Sequence, residues 1–263
     1  RKGETHFWHF VLIAKDAIGY EQLCRISSES AWEHWFKQVG QERVPTIKSE
    51  LEEIIGEDKG HLIASTACLG GEFAHYVYEY FENGNNPEDK LKIHQFIKWG
   101  IDVFGKDNFF LEMQPTYHTY EELDENGKHF PQVVVNKAIP ILAKAYGIDY
   151  IVTTDSHYLK KEHRSIHESY LRSDENGDNE REMGDFYATT YIMSVEEIRE
   201  LLSSHLTEEE IDKAFEGTMK QHNLIESYDI SHSVIVPSDK KIPIDFEVEH
   251  IFSEWYEECE YLK

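Results

Sequence analysis

The chain has 263 residues, enough for one large domain or a domain with an appendage and for a substantial core. Its 26 Lys and Arg against 51 Asp and Glu leave a net charge of −25 with His neutral. That argues against a free-standing nucleic-acid-binding domain, because such binding depends on cationic side chains neutralising phosphates; nucleic-acid contact must be local, bridged by metal ions or supplied by other parts of a protein.

In chain order, the sequence opens at Arg1 and runs directly into Phe7-Trp8-His9-Phe10-Val11-Leu12-Ile13, which reads as a start inside something larger. Short apolar runs of strand length then alternate with longer amphipathic segments, the pattern of βα units around a parallel sheet. Strands are predicted at residues 8–14, 61–65, 108–113 and 150–154, with a later strand or edge piece at 186–193. Helices are predicted at 20–35, 71–81, 89–104 and 131–146, where apolar residues recur at three and four residue intervals, as at Ile139, Leu142 and Tyr146. Two polar stretches, 118–129 and 173–185, read as surface loops; the second is acidic but lacks the spacing of a calcium loop. Ser194 with Glu197, and Thr207 with Glu210, read as capping boxes that start two more helices. From about residue 231 the Pro- and Lys-containing run 236–243 reads as a linker, followed by a short helix at 250–262.

Cys24, Cys68 and Cys259 share no metal-type spacing, and an odd number does not point to a disulfide framework. No apolar run approaches the roughly 18 residues that a spanning helix requires. The expected location is therefore the cytoplasm, with no membrane partner.

Two strings carry chemistry. In Ile151-Val152-Thr153-Thr154-Asp155-Ser156-His157-Tyr158 a β-branched strand ends in an Asp and a His two residues apart. Parallel α/β folds place ligands at the C-terminal ends of strands, and extended residues i and i+2 point the same way. Asp155 and His157 are thus a candidate pair for Zn²⁺ or Mn²⁺; the plain alternative is a capping Asp and a surface His in a tight turn. In His61-Leu62-Ile63-Ala64-Ser65-Thr66-Ala67-Cys68-Leu69-Gly70-Gly71-Glu72 a strand runs into a Cys and two glycines before a helix. Glycines permit close approach to a ligand, although a Cys beside Ala and Leu is commonly an inert small hydrophobe. The i, i+4 pair His163 and His167 lacks a flanking third ligand, and the other histidines, His205 among them, are expected to face solvent.

With the opening Trp8 to Asp16, Gly19-Tyr20 and Leu23-Cys24, these strings resemble the PHP (polymerase and histidinol phosphatase) domain of bacterial or phage-type DNA polymerase III alpha subunits. Ala67-Cys68-Leu69-Gly70-Gly71-Glu72 is similar to that family's Cys-bearing strand end, Phe109 to Gln114 to its next strand, and Thr154-Asp155-Ser156-His157-Tyr158-Leu159 to its last metal-binding motif. The resemblance covers residues 5–230. It implies a distorted (β/α)7 barrel, incomplete here, with a mainly helical C-terminal extension. Residues 1–230 would be a partial PHP domain and 231–263 a linker and short helix leading toward a polymerase core.

The resemblance further implies metal ligation by His9, Cys68, Asp155 and His157, with Asp155 and His157 at the chemistry, and up to three divalent ions, Zn or Mn, in the complete domain. His9 falls at the start of its predicted strand, at odds with the strand-end rule, so its role rests on the resemblance alone. The implied activity is metal-dependent phosphodiester hydrolysis, a 3′–5′ proofreading exonuclease within a replicative polymerase, with DNA and other replisome subunits as partners. The family's opening His-x-His motif and several acidic and histidine ligands have no counterpart in the sequence, so the isolated chain is expected to bind metal weakly and to be inactive. The alternatives are a non-catalytic structural or interaction module of the polymerase and a free-standing PHP phosphoesterase.

Overall fold

In the computed structural model of the chain the described residues are 7–38, 41–172 and 185–231. Residues Arg1–Tyr228 and Asp229–Lys263 form separate units. All the helices and strands named below belong to the first; the expected linker and final helix, and the acidic stretch 173–184, lie outside the described residues.

In chain order the elements are β1 (Val11–Ala14), α1 (Ala17–His34), β2 (Phe36–Gln38), β3 (Gln41–Arg43), α2 (Lys48–Ile55), β4 (Leu62–Ser65), α3 (Glu72–Glu82), α4 (Pro87–Phe104), β5 (Phe109–Met113), α5 (Pro131–Tyr146), β6 (Tyr150–Val152), α6 (Arg164–Arg172), α7 (Val195–Leu202) and α8 (Glu208–Asn223). The helix ends obey local chemistry. Asn86 caps α4 with its side chain and Pro87 opens it, where a missing N–H is harmless. Ser194 and Thr207 accept from the amides of Glu197 and Glu210, so both expected capping boxes are present.

β1, β4, β5 and β6 form one sheet in that order, and β2 pairs with β3 in a separate hairpin. β4, β5 and β6 run parallel, but β1 is antiparallel to β4, with Val11 opposite Ser65 and Ala14 opposite Leu62. The parallel strands are buried along their whole length, which is why Leu62-Ile63-Ala64 and Phe109-Phe110-Leu111 read as unbroken apolar runs. Helices cover the sheet; Phe73 from α3, Phe96 and Phe104 from α4, and Phe109 from β5 meet in one core with ring centroids 6.2–6.5 Å apart. Full burial of each such ring is worth about 1.5–3 kcal/mol.

The architecture is mixed α/β, with helices α6 to α8 filling the C-terminal part of the described residues. One expected element differs: residues 185–189 form a 3₁₀ turn, and just after it Tyr191 makes a single bridge with Tyr158. The Thr190 carbonyl accepts from the amides of His157 and Tyr158, so this segment ties down the turn after β6 without adding a strand. The β2–β3 hairpin, α2 and α6 were not expected; α2 is short and charged, and only Leu51, Ile54 and Ile55 of it are buried.

Candidate metal centre at the strand-end rim

The antiparallel course of β1 decides where His9 lies. Because β1 runs against β4, the start of β1 lies beside the end of β4, on the same rim as the ends of β5 and β6. His9 therefore meets the strand-end rule by entering its strand at the rim. Its amide donates to the Gly70 carbonyl at 2.9 Å, and it forms a bridge with Gly71.

The turn from β4 into α3 is built around that bridge. The Gly71 amide donates to the Cys68 carbonyl at 2.8 Å. A Cβ on Gly71 would fall 2.4 Å from the Thr66 carbonyl oxygen and 3.2 Å from that of His9, so only glycine lets the three backbone segments meet. Ala67 sits at φ +58°, a conformation costing roughly 1–2 kcal/mol for a residue with a Cβ. The turn presents the Cys68 Sγ at 3.3 Å from the His9 Nδ1.

Asp155 leaves β6 at φ +44°, and its carboxylate lies near the Cys68 thiol. Burial pushes the Cys68 thiol up, and the neighbouring Asp155 charge adds to the rise against the opposing Gly70 amide. Without a cation beside it the sulfur thus holds its proton. His157 is exposed; its Nδ1 donates to the Asp155 carbonyl oxygen at 2.6 Å, leaving Nε2 as the acceptor atom. Its ring packs on His167 and Tyr187, with centroids 5.7 and 5.3 Å away.

Cys68 is thus in contact with His9 and has the Asp155 charge as a neighbour, while His157 joins them through the Asp155 backbone. An imidazole nitrogen, a sulfur and a carboxylate suit a borderline-soft ion such as Zn²⁺. An ion bonded tetrahedrally to both His9 and Cys68 would hold nitrogen and sulfur about 3.5 Å apart, near the 3.3 Å found. The donor set fits such an ion as a partial cage, since among the described residues no group of three or more His, Cys, Asp or Glu side chains closes around one point.

Other polar groups escaped the sequence reading. Glu112, within the apolar run Phe109-Phe110-Leu111-Glu112-Met113, is buried at 7% exposure and accepts from Ser65 Oγ, Thr153 Oγ1 and Gln114 Nε2 at 2.5, 2.6 and 3.2 Å. Its signal was an acid in an otherwise apolar strand. His61 is held between Asp16 at 2.6 Å and Asp58 at 3.1 Å; the Asp16 hydrogen bond, against the effect of burial, raises its pKa. His205, expected to face solvent, is half-buried and bonded to Asn136 at 3.1 Å; burial and then Lys137 lower its pKa to about 4.

The sequence has known relatives. Residues 2–116 match the PHP domain family. Over its whole length it is 40% identical to a probable DNA polymerase, YorL, of Bacillus subtilis (strain 168), and equally to the DNA-directed DNA polymerase of Bacillus phage SPbeta. Over 64% of its length it is 30% identical to the DNA polymerase III subunit alpha of Deinococcus radiodurans. It spans 19% of the first two relatives and 10% of the third. Its PHP sequence is of the kind found in DNA polymerase III alpha subunits and phage-type DNA polymerases.

Proposed function

We propose that the chain is the PHP part of a replicative DNA polymerase of the polymerase III alpha kind, and that its strand-end rim takes part in metal-dependent hydrolysis of phosphodiesters, removing nucleotides 3′ to 5′. The complete domain on this reading is a distorted seven-stranded barrel with up to three Zn or Mn ions. What supports the reading is the 3.3 Å approach of the His9 ring to the Cys68 sulfur, with the negative charge of Asp155 close by. These residue types come from three separate segments, and holding Ala67 and Asp155 in the left-handed region to bring them together needs a compensating purpose.

A bound divalent ion would lower the pKa of a water and stabilise charge on the phosphate oxygens. The chain's own residues would divide the remaining work. His9 and Cys68 hold the ion from the β1 and β4 side, and Asp155 from the β6 side. His157, its tautomer fixed by the Asp155 carbonyl, turns Nε2 outward toward a phosphate or a further ion. DNA, and the other replisome subunits, would be engaged through the whole polymerase, because a surface of net charge −25 does not attract DNA by itself.

The test is metal content together with cleavage of a 3′-ended single-stranded oligonucleotide in Mn²⁺, both measured on the complete polymerase because the chain alone is expected to be inactive. Asp155→Asn is the control, since Asn tolerates the left-handed backbone found there. Cleavage by the wild type that is lost in the variant supports the exonuclease. Metal-free protein with no cleavage supports a second reading, a non-catalytic scaffold of the polymerase, which is favoured by the incomplete closure of the donor set among the described residues.

A further inference from the structure

Glu112 belongs to none of the roles above, and its surroundings are unusual. Its carboxylate is buried, and the three groups that donate to it are all neutral: Ser65 Oγ, Thr153 Oγ1 and Gln114 Nε2. A carboxylate withdrawn from water is costly unless its acceptor sites are filled, and here the donors come from all three parallel strand ends. Ser65 closes β4, three residues before Cys68; Thr153 comes just after β6, two residues before Asp155. The Glu112 amide donates to Thr66 Oγ1 at 2.9 Å, which fixes the next residue of the same turn.

Beyond each anchor the chain passes through a non-glycine residue in the left-handed region, Ala67 on one side and Asp155 on the other, at φ +58° and +44°. Such conformations persist only where the surroundings over-determine them. The anchorage continues inward: the Gln114 amide and carbonyl bond to the Asn136 side chain at 3.3 and 2.8 Å, and Asn136 contacts the half-buried His205. Gln114 is therefore itself fixed on both of its faces.

We propose that Glu112 is the positioning residue of the rim: its buried carboxylate clamps the two strained turns that present Cys68 and Asp155 to each other. As a role at the metal site this rests on the function proposed above; as a clamp on Cys68 it can be tested without metal.

The experiment has two arms on the same protein. In the metal-free arm the alkylation rate of Cys68 by iodoacetamide is followed by peptide mass, with exposed Cys24 as the reference in the same tube. Glu112→Ala should raise the Cys68 rate at least roughly tenfold by letting the turn open locally, with Cys24 unchanged. Glu112→Gln keeps the shape, and the Ser65 and Thr153 hydroxyls can rotate to accept from its amide, so it should stay within about threefold of wild type. Ile97→Val, a core truncation in α4 away from the rim, should lower the melting temperature and leave the Cys68 rate unchanged.

In the metal arm the near-ultraviolet thiolate-to-cobalt band of Co²⁺-loaded protein should be present in the wild type, lost in Glu112→Ala and recovered in Glu112→Gln. Absence of the band in the wild type would sink the metal reading alone, leaving the alkylation result to decide the clamp. If Glu112→Ala does not fold, the double variant Ser65→Ala, Thr153→Val carries the same expectation for Cys68. An unchanged Cys68 rate on loss of the carboxylate or its donors, or an equal rise in Ile97→Val, would overturn the proposal.

Discussion

At the scale of single residues the protonation of His205 and His61 pulls stability in opposite directions along the pH axis. Burial lowers the His205 pKa from 6.5 to about 4, so the unfolded chain binds its proton first as pH falls. The stability from its neutral ring is present above pH 6.5 and is lost on the way down to about 4. The expected loss, measured by urea unfolding at pH 7 and pH 4.5, is on the order of 2 kcal/mol, and His205→Asn should remove most of that dependence. A wild type and variant with equal slopes would show that the ring is solvated. His61 works the other way. Its pKa is raised, chiefly by the Asp16 hydrogen bond, so its contribution is complete below the ordinary His value and disappears as pH rises through the raised one. For Asp16, burial favours the protonated form but is outweighed by the Gly19 amide and the His61 ring, so its pKa falls. His61→Gln should therefore flatten the alkaline side of the stability profile and weaken the Asp16 part of the acid side, leaving there what the Gly19 amide supplies; a profile unchanged above pH 7 would contradict the pairing of His61 with Asp16.

At the scale of elements, sequence patterns fared well wherever one face of one segment carried the information. The stripes of α3, α4 and α5, and the Ser194 and Thr207 caps, are set by local chemistry and lie within a few residues of where periodicity placed them. Ser194→Ala should cost about 1 kcal/mol in unfolding free energy, because the Glu197 amide loses its side-chain acceptor; a change near zero would mean that water replaces the cap. The direction of β1 was not legible, because antiparallel and parallel neighbours read alike in a four-residue apolar strand, and with it went the reason why His9 can reach the rim. Strand-end arguments put Asp155, His157 and Cys68 just past the ends of strands, and in the structure they follow β6 and β4. They did not find Glu112, whose partners lie 47 and 41 residues away on other strands. Gly71 shows the same limit from the other side. Its freedom serves the approach of the Thr66 and His9 backbones, and Gly71→Ala should disturb the His9 to Cys68 contact as well as lower the melting temperature.

At the scale of the whole molecule the net charge of −25 bears on the proposed contact with nucleic acid. A surface with so few cations releases few counterions from DNA, so metal-free binding should be weak, with a log–log salt slope below about one in magnitude. Adding Mn²⁺ should strengthen binding more than any reduction in salt does, as followed by fluorescence anisotropy of a labelled single strand. A steep salt dependence without metal would instead point to a basic track on the surface. Among the described residues no helix is long and apolar enough to cross a membrane. The family match through residue 116 takes in β1, β4 and β5, while Asp155 and His157 lie beyond it, so the unity of the rim rests on the sheet that joins both parts.

That unity is tested most directly by zinc affinity, measured in competition with a chromogenic chelator for the wild type and for His9→Ala, Cys68→Ala and Asp155→Asn. A shared rim requires each substitution to weaken binding by at least about tenfold, with pairs of substitutions losing less than the product of the single losses. Equal affinities in all four proteins would contradict it.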